Sequence, residues 1–293
     1  MARFGSVITA MITPFDDEGR VDLEGAAALA AWLVEQGNDA LVLTGSTGEA
    51  SMLSDDEQIE VWQVVRAAVD VPLIAGSGTN DTRHACELTS RASAHGIDAV
   101  LVVTPYYNRP PQAGLEAHFR AVAGSTDLPV LLYDIPIRSG REISHEVLVR
   151  LAHEVPNIVG LKDAAANATK TARTVADTPA DFEVYAGDDN WTLPMMAVGA
   201  VGIISVAGHW AAPVMSEMIA AFERGDHTKA WELNALLLES WDFESSELTP
   251  NPIPAKAMMR AIGQPAGQCR LPMGPAPAGL EQRALEVWNT LHG

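Results

Sequence analysis

Lys162 closes the run Ile158-Val159-Gly160-Leu161-Lys162 and is followed by Asp163. An ammonium at the end of a buried apolar strand loses its hydration, which costs several kcal/mol unless the group is paired or discharged. A lysine that discharges is a nucleophile. Its neutral amine attacks a ketone, and the resulting iminium draws electrons from the adjacent carbon and makes that carbon acidic. An ordinary lysine, with a pKa of ~10.4, is mostly protonated at neutral pH, and burial lowers that value. The chain has four lysines, and the other three, Lys170, Lys229 and Lys256, fall in segments that read as helical or polar. The run alone also fits a structural lysine whose head reaches solvent. Its place in the wider pattern separates the two readings.

Other residues could serve the same chemistry. Tyr133 ends the run Val130-Leu131-Leu132-Tyr133. Its hydroxyl suits a proton shuttle, although a buried tyrosine can equally be a core aromatic with a backbone partner. Gly45-Ser46-Thr47-Gly48 offers two hydroxyls and several backbone N–H groups where a strand turns into a helix. That is a seat for a small carboxylate, and the same composition also makes a plain helix cap. Arg138 follows Ile135-Pro136-Ile137, and its planar fork suits a second carboxylate as well as it suits solvent. The eight histidines are scattered without metal-ligand spacing, so no metal site is assigned and a metal-dependent aldolase is a poor fit.

These residues need elements to position them. Eight short apolar runs occur: Val7–Pro14, Ala40–Gly45, Val71–Gly76, Ala99–Pro105, Val130–Pro136, Ile158–Lys162, Phe182–Gly187 and Gly202–Val206. Between them lie stretches such as Leu23–Gln36, Asp56–Val69, Thr82–His95, Gln112–Thr126 and His145–His153, with apolar residues at three- and four-residue spacing. Strands apolar on both faces and alternating with helices are parallel strands with helical crossovers. Eight such units predict an α/β fold, a (β/α)8 TIM barrel. An open doubly wound sheet would carry a GxGxxG turn after its first strand, whereas this strand ends Thr13-Pro14-Phe15-Asp16. The barrel is expected over residues 1–225. Residues 226–293, with helical patterns at Lys229–Ser240, Pro254–Ile262 and Gly279–Leu291, read as a C-terminal helical appendage. Barrel chemistry sits at the C-terminal strand ends, which is where Ser46, Tyr133, Lys162 and Gly187 fall.

Composition narrows the classes further. The chain has 293 residues, 47% hydrophobic and 19% charged, enough for one large core. A formal net charge of −19 argues against nucleic acid and anionic membrane as partners. No apolar run is long enough to span a membrane, the opening residues show no basic region followed by an apolar signal stretch, so no signal peptide is expected, and the two cysteines suggest no disulfide framework. A cytoplasmic location is expected.

Several motifs in collinear order carry a resemblance. They are Gly45-Ser46-Thr47-Gly48-Glu49, Pro105-Tyr106-Tyr107-Asn108, Tyr133-Asp134-Ile135-Pro136-Ile137-Arg138-Ser139-Gly140, Gly160-Leu161-Lys162-Asp163, Gly187-Asp188-Asp189, Asn251-Pro252-Ile253-Pro254 and Arg270-Leu271-Pro272-Met273. The chain resembles the dihydrodipicolinate synthase / N-acetylneuraminate lyase family over essentially its whole length. Tyr106-Tyr107-Asn108 and Arg138 resemble the synthase branch more closely. That resemblance implies condensation of pyruvate with L-aspartate 4-semialdehyde, without a cofactor, on the route to lysine and diaminopimelate. By matching positions it implies a pyruvate Schiff base on Lys162 and a proton relay of Tyr133, Ser46 and Tyr107, the last from a neighbouring subunit of a homotetramer. It further implies that Ser46 and Thr47 bind the pyruvate carboxylate, that Arg138 binds the semialdehyde carboxylate, and that Gly187 and Ile204 line the site through backbone groups.

The sequence departs from the family pattern at three places. Ser46 stands where the synthases usually carry threonine, which brings this loop nearer the sugar-acid lyases. Asp134 replaces a common asparagine and is expected to put a second anion near the barrel mouth. Ala50, Asp55, Gln58 and His84 replace residues of the feedback site, which argues against inhibition by lysine. Two other functions stay open. One is a pyruvate-dependent aldolase of a 2-keto-3-deoxy sugar acid or an N-acetylneuraminate-type substrate. The other, from a different class, is a catalytically silent barrel that binds a keto acid.

Overall fold

The computed structural model describes residues 2–293. Eight strands close in chain order into a parallel barrel: β1 (Val7–Ala10), β2 (Ala40–Leu43), β3 (Leu73–Gly76), β4 (Ala99–Val103), β5 (Val130–Asp134), β6 (Ile158–Asp163), β7 (Glu183–Ala186) and β8 (Gly202–Ser205). The intervening helices are α1 (Leu23–Glu35), α2 (Asp55–Ala68), α3 (Thr82–Ala92), α4 (Gln112–Ala123), the single turn α5 (Pro136–Ser139), α6 (His145–Glu154), α7 (Ala168–Asp177) and the short α8 (Thr192–Met196). After β8 come α9 (Gly208–Glu223), α10 (His227–Glu244), α11 (Ile253–Ala261) and α12 (Leu280–His292). The (β/α)8 barrel expected from the eight apolar runs is therefore the fold, with helices following it. All four residues of β1, β2 and β8 are buried, as strands covered on both faces must be. The first apolar run overshoots its strand: β1 ends at Ala10, although Met11 N–H still donates to Val42 O at 2.9 Å. Among the described residues no helix is long and apolar enough to cross a membrane.

The chain divides into two compact units. One comprises residues 2–5 and Pro72–Ile204. In it β5 and β6 pair with Leu132 opposite Leu161, Tyr133 opposite Lys162 and Asp134 opposite Asp163. On the other side of β6, Lys162 pairs with Tyr185 of β7. The helices start on side-chain caps: Asp81 accepts from Arg83 N–H, Ser144 from Val147 N–H and Asn167 from Lys170 N–H. Each cap satisfies a backbone donor that the helix itself cannot, a stabilisation of ~1 kcal/mol.

The other unit comprises Ser6–Val71 and Ser205–Gly293. Here β1 pairs with β2, α1 packs on α2, and α9 packs on β1 and α10. Helix α2 opens with a reciprocal capping box between Ser54 and Glu57. His209, at the start of α9, is fully buried. Its Nε2 accepts from Ile12 N–H at 3.0 Å, so the ring proton sits on Nδ1 and donates to Val206 O at 2.8 Å. Burial lowers its pKa to about 4.

Candidate active site

The lysine at the end of β6 is 5% exposed. Its Nζ stands 4.5 Å from the centroid of the Tyr133 ring, directly across the β5–β6 register. Thr104 fixes the backbone at Tyr133: its N–H and its hydroxyl both reach Tyr133 O, at 2.9 and 3.0 Å. Tyr133 is itself 6% exposed. An amine and a phenol are thus held together in a poorly hydrated place on two rigid strands.

Gly187 follows β7, and its N–H donates to Asp163 O at 2.7 Å. A Cβ there would lie 3.0 Å from Lys162 Cγ and 2.9 Å from Ala164 Cβ. Only glycine lets the lysine stem run past this backbone unperturbed. Ile204, in β8, is fully buried. Asp188, which follows Gly187, has its carboxyl raised by burial and by Asp189, with Lys162 pulling the other way.

Asp134 differs from expectation. Successive strand residues face opposite sides. With Tyr133 against Lys162, the Asp134 carboxylate turns away, is 1% exposed, and pairs with Lys170 Nζ at 2.7 Å. Ile143 N–H also donates to it at 3.2 Å. Lys170 bridges on to Glu142 at 2.7 Å. Asp134 is therefore a neutralised anchor for the segment after α5 and presents no free anion to a substrate. Arg138, on α5, is exposed.

Tyr107 is 91% exposed and so is not packed against Lys162 or Tyr133 of its own chain. Its φ is +73°, and Asn108 N–H donates to Tyr106 O at 2.9 Å around it. This is the rare, strained form of the three-residue γ-turn. A large aromatic at positive φ is an uncommon and costly backbone state.

The Gly45–Gly48 loop, expected from the sequence to seat a carboxylate, lies in the other unit. Ser46 is exposed and Thr47 is 3% exposed. Two non-glycine residues of positive φ bracket the loop, Thr44 at +49° and Glu49 at +58°. Trp62 Nε1 donates to the Thr44 hydroxyl at 2.8 Å, and the Thr13 hydroxyl donates to Gly48 O at 2.7 Å. A Cβ on Gly48 would meet Thr44 Cα at 3.0 Å and Met11 O at 3.1 Å, so the loop folds tightly on itself. Asn251 Nδ2 donates to Thr47 Oγ1 at 2.9 Å. Sequence reasoning assigned no part to Asn251, nor to the buried pair Glu49–Lys256, whose Nζ and Oε1 are 2.5 Å apart. Glu49 and Asn251 did stand inside the motifs noted above, and that was the available signal. Among the described residues no three His, Cys, Asp or Glu side chains gather in a set that could hold a metal ion.

A closed parallel barrel that buries one strand-end lysine against a tyrosine defines a class of scaffold, one suited to imine chemistry at a desolvated amine. Comparison with known proteins narrows it. The family model described as the dihydrodipicolinate synthetase family matches residues 3–288, and the chain belongs to that family. It is 44% identical over 273 residues to the 4-hydroxy-tetrahydrodipicolinate synthase of Moorella thermoacetica, covering 92% of each chain. It is 41% identical over 290 residues to that of Bacillus subtilis, covering 98% of each. Among solved structures, a dihydrodipicolinate synthase from Bacillus anthracis superposes with a TM-score of 0.94 at 42% identity over 99% of both chains.

Proposed function

We propose that this chain condenses pyruvate with L-aspartate 4-semialdehyde to give 4-hydroxy-tetrahydrodipicolinate. The observation that carries the reading is Lys162 Nζ, buried at the end of β6 and set 4.5 Å over the Tyr133 ring. Relatives of 41–45% identity that match nearly full length and bear the synthase name support the same substrates.

In the proposed cycle the Lys162 amine attacks the pyruvate ketone and water leaves as the imine forms. Tyr133, Ser46 and Tyr107 pass the protons that dehydration and enamine formation require. The pyruvate carboxylate rests on Ser46 and Thr47, and Gly187 and Ile204 line the pocket through their backbones. The enamine carbon then adds to the aldehyde of the second substrate, whose carboxylate Arg138 clamps. The strained, exposed Tyr107 fits a side chain that completes a neighbouring subunit's site, so the working form is a homotetramer in the cytoplasm. Residues 1–225 carry the chemistry, and residues 226–293 brace the carboxylate seat.

The test is a condensation assay with pyruvate against L-aspartate 4-semialdehyde and against a panel of sugar-derived aldehydes. It is paired with borohydride trapping and peptide mapping. Turnover of the semialdehyde and a single reduced pyruvate adduct on Lys162 are expected. Efficient turnover of a polyol aldehyde alone would move the chain to the sugar-acid aldolases. Binding without turnover would make it a silent keto-acid barrel.

A further inference from the structure

Lys256 is the most buried lysine of the chain and takes no part in the proposed cycle. It lies on α11 and is fully buried, as is Glu49. Besides its 2.5 Å pair with Glu49, Lys256 Nζ donates to Gln268 O at 3.1 Å and sits 3.7 Å from the centroid of the Phe15 ring. The Arg270 guanidinium covers the same ring at 4.4 Å, and Arg270 N–H donates to the second Glu49 oxygen at 2.9 Å. Burial lowers the pKa of Lys256, while Glu49 opposes the shift.

Two facts make this more than a core ion pair. First, an apolar pair of similar volume would generally serve stability as well or better, so burying the two charges is no efficient way to hold a core. Second, the carboxylate belongs to a residue at φ +58° that ends the Gly45–Gly48 loop. That backbone is uncommon for a glutamate, and its side chain is held by two polar contacts, with Lys256 Nζ and with Arg270 N–H. The segment that delivers Lys256 also delivers Asn251. Because Asn251 donates to Thr47 Oγ1, the Thr47 hydroxyl keeps its own proton to give to another acceptor.

We propose that Glu49 and Lys256 are positioning residues for the substrate carboxylate. Their pair clamps the end of the seat loop in its left-handed bend, so that the Thr47 hydroxyl and the loop N–H groups are set before the ligand arrives. The proposal rests on the assignment of Ser46 and Thr47 as the carboxylate seat.

The experiment compares Glu49→Gln, Lys256→Met and the double variant with Thr47→Val. It measures melting temperature, pyruvate KM and kcat, and the yield of trapped imine at saturating pyruvate. Each single variant leaves a buried charge unpaired and is expected to melt earlier. The double variant leaves none and is expected to regain most of the lost melting temperature. The pyruvate KM should nevertheless stay raised about tenfold or more in the double variant, the scale of one lost hydrogen bond. Its imine yield at saturation should match the parent chain. If the KM returns to the parent value together with the melting temperature, the pair is merely structural and the proposal is overturned. If the single variants do not fold, the double variant alone decides. If Thr47→Val raises the KM and the double variant does not, the positioning role fails while the seat stands. If Thr47→Val leaves the KM unchanged, the seat assignment fails and takes this proposal with it.

Discussion

Lys162 and Tyr133 are register partners on adjacent parallel strands, and the lysine amine lies over the face of the tyrosine ring. The pairing is set by backbone hydrogen bonds and not by loop conformation, so the two groups keep their spacing whatever the loops above them do.

Tyr133→Phe removes the hydroxyl and keeps the ring under Lys162. Packing and melting temperature should change little. Loss of general acid–base assistance should lower kcat by ~10²–10⁴-fold. Steady-state kinetics with both substrates checks this, and an unchanged kcat would make Tyr133 a core aromatic only.

Gly187→Ala puts a methyl group 3.0 Å from Lys162 Cγ and 2.9 Å from Ala164 Cβ. Overpacking of this kind typically costs ~1–3 kcal/mol, and a displaced nucleophile loses about 10- to 100-fold in rate. A lower melting temperature and slower imine trapping are expected together. Parent-like trapping rates would show that the lysine stem has room to spare.

Arg138→Lys keeps the charge and loses the bidentate fork. The KM for the aldehyde should rise much more than the KM for pyruvate, and Arg138→Ala should be worse still. If both KM values move in step, Arg138 shapes the site without reading one substrate.

His209 gives the fold an acid limit. Its folded pKa of about 4 lies below the ordinary 6.5, so between those values the unfolded chain binds the proton and the folded chain does not. The stability linked to this ring is complete above pH 6.5 and drains away as pH falls toward 4, by on the order of 3 kcal/mol. His118, buried and likewise lowered to about 4, adds in the same direction. Melting temperature measured from pH 7 to pH 4 should fall, and His209→Gln should flatten that fall. An equally steep profile in the variant would exclude His209 as a source.

The eight strands were legible because each is buried on both faces and so reads as a bare apolar run. The crossover helices after β6 were not. Helix α8 has five residues, too few to show a period. Helix α9 is buried over most of its surface and carries Pro213 inside it, so its apolar residues form no single stripe. Lys162 and Tyr133 stood out as candidates because each lies one residue from the C-terminal end of a strand. Lys256 read as an ordinary helical lysine, since nothing at its own place in the sequence signals a carboxylate on the loop after β2. The charge of Asp134 was visible, but Lys170, 36 residues on, cancels it, and only the alternation of strand faces directs the two together.

The bonds that brace the loop after β2 join residues 204 and 221 positions apart, Asn251 to Thr47 and Arg270 to Glu49. Contacts of that span are the slowest to form, because the intervening chain must be gathered in first. A nascent chain can lay down β1, β2 and the turn bearing Ser46 early, yet the turn lacks its braces until the last helices leave the ribosome. The final shape of this loop is therefore among the later things the polypeptide acquires, and on the proposed assignment an unfinished chain has no finished place to hold a keto acid.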